Sequence, residues 1–161
     1  METITYRPIG VIRTPFAEPA GMPIQPPGAT GVLGVVEVEP AYEEGLRDLE
    51  GFSHIILLYH FHRGEGFSLC VAPFLDSTRR GLFSTRAPRR PNAIGLSVVR
   101  LHAVEGRALR VEGVDMLDGT PLLDIKPYVP RFDCPEGDVR AGWLEPTGDS
   151  VRERRSDDRF A

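Results

Sequence analysis

Apolar and polar residues alternate along several short stretches of this chain, with the period of a strand rather than of a helix. In Ser53 to His62, an unbroken strand puts Ile55, Leu57, Tyr59 and Phe61 on one face. His54, Ile56, Leu58, His60 and His62 fall on the other. This is the most apolar segment and is expected to be a central strand. Val32 to Glu39 sets Val36 and Val38 against Glu37 and Glu39. Ile94 to Val104 reads as a strand, Glu105-Gly106-Arg107 as a turn and Ala108 to Met116 as the return, which makes a β-hairpin. Thr3 to Arg13 is strand-like but interrupted by Pro8, which suits an edge or a bend. Phe67 to Pro73 is a further strand candidate, and Pro121 to Val129 is extended. Pro40 to Leu49 reads as a short helix, with Pro40 in its first turn, Glu43 and Glu44 close behind, and Gly51 past its end.

Composition sharpens that picture. The 161 residues include 15 Pro and 17 Gly. That density disfavours a helical bundle, because Pro costs ~3 kcal/mol and Gly ~1 kcal/mol inside a helix. The expected fold is mostly β: a small closed or nearly closed β-barrel with one or two short helices. The loop Pro15 to Gly31 is long enough to suggest a functional or a mobile segment. One domain is expected over 1–145. Residues 146–161 read as a polar, frayed tail in which Arg152, Arg154 and Arg155 stand beside Asp157 and Asp158. Cys70 and Cys134 form no C-x-x-C pattern, which fits a reducing compartment. The N-terminus lacks a basic region followed by an apolar one, and the apolar run Ile55 to Tyr59 is far short of a membrane span. A cytoplasmic protein is expected.

The usual nucleotide-binding fingerprints are absent. Gly64-Glu65-Gly66 lacks a third glycine and a following helix, and there is no G-x-x-x-x-G-K-[ST]. Net charge is −4, yet Arg79, Arg80, Arg86, Arg89 and Arg90 lie close together, in a loop stiffened by Pro88 and Pro91. Such a loop can present guanidinium groups to phosphates, or it can be a solvated surface paired with the chain's carboxylates. Asp118-Gly119-Thr120-Pro121 is a tight turn, beyond which Asp124, Lys126 and Tyr128 alternate onto one face of a strand. That face is either a polar site or simply solvated. His60-x-His62, with Glu65 nearby, has a spacing compatible with a metal and resembles half of a cupin site. Only His102 offers a second half, and hydrogen-bonding histidines explain the row equally well. No nucleophile–base pair is apparent.

Several blocks together resemble the TrmO family, also called TsaA-like or YaeB-like, of S-adenosylmethionine-dependent tRNA methyltransferases. They are Ile9 to Phe16, Pro23-Ile24-Gln25-Pro26, Leu49 to His54, Phe61-His62, Phe83 to Arg86, Arg90 to Ser97 and Asp118 to Tyr128. The resemblance implies a small β-barrel methyltransferase, neither Rossmann-like nor knotted. It implies N6-methylation of N6-threonylcarbamoyladenosine at tRNA position 37. It places the cofactor at Pro23, Ile24, Gln25, His62, Arg63, Arg86, Leu96, Asp115, Met116, Leu117, Asp118 and Gly119. It leaves Asp118 or Asp124 as a base, with Lys126 and Tyr128 orienting the substrate and Arg89, Arg90 and Asn92 toward RNA. Some members carry a further C-terminal domain; here the expectation is either a barrel that grips tRNA alone, as a homodimer, or a different substrate. The competing readings are a non-catalytic S-adenosylmethionine-binding regulatory module and a cupin-like metal protein.

Overall fold

The computed structural model describes residues 2–64, 66–147 and 150–157. Strands β1 (Gly10–Arg13), β2 (Leu33–Val38), β3 (His54–His60), β6 (Ile94–Glu105), β7 (Ala108–Glu112) and β8 (Thr120–Pro127) close into a barrel in the order β1-β2-β7-β6-β3-β8. Every neighbouring pair is antiparallel. Between β3 and β6, β4 (Cys70–Val71) and β5 (Arg80–Gly81) form a separate two-stranded ribbon.

The alternation read along β3 is realised: Ile55 and Leu57 are fully buried, and Tyr59 nearly so. They meet Ile12, Val36, Val38, Leu109, Val111 and Leu122 inside the barrel. Burying each such aliphatic side chain contributes roughly 1.5–3 kcal/mol. The hairpin between β6 and β7 closes at Glu105 and Ala108, as its turn residues suggest.

Three segments differ from their sequence reading. β1 begins only at Gly10, and residues 2–9 form no strand. β1 is not an edge, because it pairs with both β2 and β8; Pro8, which has no N–H to give, stays outside it. Phe67 to Pro73 contributes only the two residues of β4. Pro40 to Leu49 is not one helix but a 3₁₀ turn over Pro40–Leu46 and another over Leu49–Gly51. Asp48 separates them in the left-handed region at φ 68°, a conformation that a short polar side chain tolerates.

Antiparallel alternation puts the long loops 14–32, 61–93 and 113–119 at the same end of the barrel. The turn at Asp118-Gly119 returns the chain into β8, with Gly119 at φ 74°. The described part of the tail is not free of this end. Arg155 bridges Pro23, the Gly21 N–H donates to the Ser156 carbonyl at 2.9 Å, and the Ser156 N–H donates to the Met22 carbonyl at 2.8 Å. Backbone groups make these bonds, so polar composition did not reveal them. Asp158, read with the tail, lies outside the described residues. Replacing Leu57 by Ala should cost about 2–5 kcal/mol of stability, measured by urea unfolding.

Candidate active site

The three long loops wall a cleft of about 1460 Å³ over the barrel end. Pro23, Ile24 and Gln25 come from the first loop. His62, Arg63 and Arg86 come from the second, Asp115, Met116 and Leu117 from the third, and Leu96 from β6. These ten residues are far apart in sequence and were grouped by resemblance; the structure brings them to one place. Gln25 and Arg86 meet directly, the guanidinium donating to Oε1 at 2.8 Å. Trp143, Leu144, Ser156 and Asp157 add a wall from beyond the barrel.

At the base of the cleft a hydrogen-bonded chain runs out of the barrel interior. Tyr59 and Ser97 are buried, at 3% and 1% exposure. The Tyr59 hydroxyl lies 3.0 Å from Ser97 Oγ, and the Ser97 hydroxyl donates to Asp115 Oδ1 at 2.6 Å. Gly95 is paired with Tyr59 across β3 and β6. A Cβ on Gly95 would stand 2.2 Å from the phenol ring, so only glycine lets the ring lie across this strand. Burial pushes the Tyr59 phenol above its ordinary value, with the Asp115 carboxylate adding to the rise. Burial also pushes the Asp115 carboxyl up to about 6, against the opposing pull of the Ser97 hydroxyl, its own backbone N–H and Arg86. Desolvation and the neighbouring Arg63 and His60 hold the His62 imidazole below its ordinary value. Its Nδ1 lies 3.5 Å from Thr120 Oγ1.

Other residues singled out in the sequence are placed elsewhere. Asp118 accepts the Thr14 N–H at 3.0 Å, and Gly119 donates to the Ile12 carbonyl at 3.0 Å. Asp124 and Lys126 pair with each other at 2.8 Å. They share a face of β8, as their spacing suggests, and a bulge precedes them: the β3–β8 register slips between Leu58 and Tyr59, so that Tyr59 meets Leu122 while Leu58 meets Asp124. Leu122 and Ile125 therefore both pack on the core, while Asp124 and Lys126, beyond the bulge, keep their alternation. The Tyr128 hydroxyl lies 3.2 Å from Cys134 Sγ. Asp118, Gly119, Asp124, Lys126 and Tyr128 are thus not part of the cleft lining, and neither are Arg89 and Asn92. Arg90 lines the cleft, but its guanidinium donates to the carbonyls of Thr85 and Ala87, bracing its own loop. Arg79 and Arg80 are likewise engaged, with the Cys70 carbonyl and the Asp76 carboxylate. Among the described residues, no group of three His, Cys, Asp or Glu could hold a metal ion; Glu65 lies outside them.

A family model described as the tRNA-methyltransferase O N-terminal domain matches residues 11–134. The chain belongs to the TrmO family. A crystal structure of TrmO from Pseudomonas aeruginosa superposes with a TM-score of 0.74 at 42% identity, covering 88% of this chain and 63% of that one. A probable S-adenosyl-L-methionine-binding protein of Pyrococcus abyssi is 55% identical over 157 residues, which is 98% of this chain and 85% of that protein. The tRNA (adenine(37)-N6)-methyltransferase of Homo sapiens is 39% identical over 137 residues, 80% of this chain but 31% of the human protein. The chain therefore spans most of the archaeal relative but less than two thirds of the crystallised TrmO and under a third of the human enzyme. The TrmO matches also account for the closed, non-Rossmann barrel. Tyr59, Ser97 and Gly95 were missed as a site because each reads as core or strand; the signal lay in the cross-strand register that pairs an aromatic with a glycine.

Two outcomes follow from this packing. Gly95→Ala should destabilise the fold by about 1–3 kcal/mol through overpacking against Tyr59, measured by urea unfolding. Asp115→Asn should raise stability at pH 7.5 by up to about 3 kcal/mol, since each tenfold rise in a carboxylate's proton affinity is worth ~1.4 kcal/mol. The sign follows from linkage: the native carboxyl binds its proton more tightly than the unfolded one, so its ionisation opposes folding above pH 6. The gain should fade as pH drops through 6 toward 4, where unfolding titrations compare both proteins.

Proposed function

We infer that this chain is an S-adenosylmethionine-dependent tRNA (adenine-N6) methyltransferase whose substrate is N6-threonylcarbamoyladenosine at position 37. The carrying observation is the convergence of Pro23–Gln25, His62–Arg63, Arg86 and Asp115–Leu117 on one cleft in a TrmO-family barrel. Typical small-molecule sites occupy ~300–1,000 Å³. A cleft of about 1460 Å³ therefore has room for a nucleoside cofactor and a target base together.

The donor set suits that cofactor. Pro23, Ile24, Leu96, Met116 and Leu117 offer apolar surface to an adenine ring and a thioether-like chain. Arg86 is exposed, and its planar fork matches a carboxylate, with Gln25 fixing its orientation. His62, held toward its neutral form, offers a hydrogen bond without adding positive charge beside a sulfonium. When bound, the cofactor supplies an electrophilic methyl group, and the protein's share is to position the nucleophile and exclude water. Arg63 remains on the exposed side of the cleft for RNA phosphate, while Arg79, Arg80 and Arg90 brace the loop that presents it. We place the reaction in the cytoplasm, carried out by a homodimer.

A second reading is a regulatory module that binds S-adenosylmethionine without turnover, favoured by relatives named as binding proteins. Mass spectrometry of anticodon-loop nucleosides from tRNA incubated with the protein separates the two. The enzyme reading expects the N6-methylated nucleoside to accumulate; binding by calorimetry with unchanged nucleosides would favour the module. Arg86→Ala should weaken S-adenosylmethionine or tRNA binding about tenfold, the scale of one charge-assisted hydrogen bond. Unchanged calorimetric affinity for both would remove Arg86 from the site. In the wild type, tRNA affinity should fall steeply as salt is raised from about 50 to 200 mM, as counterion release requires.

A further inference from the structure

The methylated nitrogen carries a proton that must leave it, and the cleft contains one carboxylate built differently from the rest. Glu18 is exposed. Glu112 accepts from the Gly31 N–H and from His102, which hold it below its ordinary value. Asp157 comes from the tail. Asp118 and Asp124, the bases suggested by sequence, are committed to Thr14 and Lys126 outside the lining. Asp115 alone combines a place in the lining with a partner that emerges from the barrel core.

We propose that Asp115 accepts the proton lost by the substrate nitrogen during methyl transfer, and that Ser97 and Tyr59 are positioning residues that hold its carboxylate. This rests on the methyltransferase reading given above. The hydrogen-bond directions follow from chemistry. An ionised carboxylate can only accept, so Ser97 gives its proton to Asp115 Oδ1. Ser97 Oγ must then accept from the Tyr59 hydroxyl, 3.0 Å away. Both hydroxyls are buried where aliphatic side chains would serve packing as well, and leaving either without a partner there would be costly. The chain fixes Oδ1 from behind. The titratable and charged groups acting on Asp115 are Tyr59 from β3 and Arg86 from the 82–90 segment; Arg86 acts through space.

The step balances. The base nitrogen forms its bond to the methyl carbon with its own electron pair, and the electrons of the broken carbon–sulfur bond return to sulfur, which loses its positive charge. The N6 proton passes to the Asp115 carboxylate, leaving a neutral acid that later releases it to solvent through the open side of the cleft. A carboxyl whose affinity for protons is raised toward neutrality is a stronger acceptor than an ordinary aspartate.

The test uses the full chain, S-adenosylmethionine and tRNA carrying N6-threonylcarbamoyladenosine. Asp115→Asn should lower kcat by about a hundredfold or more, the usual scale for a general base, while calorimetric affinity for S-adenosylmethionine stays near that of the wild type. The wild-type kcat should rise with pH through an apparent pKa near 6. That limb should move to higher pH in Ser97→Ala, because the Ser97 hydroxyl stabilises the charged form. Carbon NMR of the ligand-free protein gives a readout independent of turnover: the Asp115 carboxyl should titrate near 6, and higher in Ser97→Ala. Near-normal kcat in Asp115→Asn, or a loss confined to cofactor affinity, would overturn the base assignment. A limb and an NMR titration that do not move in Ser97→Ala would overturn the positioning role. A wild-type protein that never methylates this tRNA overturns the functional reading and this step with it, and that failure is visible before any variant is made.

Discussion

Closure of the barrel through β8 is the constraint on which the rest depends. β8 pairs with β1 at Thr120–Leu122 and with β3 at Leu122–Pro127, and only by serving both does it leave the sheet without an exposed edge. Its bulge turns Leu122 and Ile125 into the same interior although they are three positions apart. Because all six pairings are antiparallel, closure also gathers the connections 14–32, 61–93 and 113–119 at one rim and leaves 39–53 at the other. The site is therefore a consequence of topology: three loops with no sequence proximity are forced to share a wall.

The barrel interior and the cleft meet at one stack. Tyr59 lies across Gly95 and reaches Ser97, which reaches Asp115. Packing sets this geometry, since the phenol cannot tilt away without losing the contacts that bury it. The cost falls on Asp115, whose ionisation is opposed by desolvation. Such a cost, held in place by a well-packed core, is the ordinary signature of a group kept for chemistry rather than for stability. The arginine-rich loop behaves in the opposite way. Most of its charges are occupied in bracing the loop on its own carbonyls and carboxylates, leaving few to face a ligand.

The tail illustrates how side-chain pattern can mislead. Its charged residues suggested a frayed end, yet the backbone of Ser156 exchanges hydrogen bonds with residues 21 and 22 and helps to wall the cleft. Likewise Asp124 and Lys126 do share a face of β8, beyond the bulge, yet they are occupied with each other and that face is not part of the cleft. In both cases the missing information was a pairing partner, which a single chain's pattern does not contain.

By itself the sequence determined most strands of the barrel wall, the hairpin at Glu105–Ala108, the absence of long helices among the described residues and the block structure that marks the TrmO family. Those are local properties: alternation decides which face is apolar, and Pro and Gly decide where the chain turns. Only the tertiary structure decided that Asp115 lines the cleft while Asp118 and Asp124 do not. Its environment is made by Tyr59, Ser97 and Arg86, residues from two strands and a loop. Desolvation and hydrogen bonding act through space, so the chemistry of that group is set by register and closure and not by its neighbours along the chain.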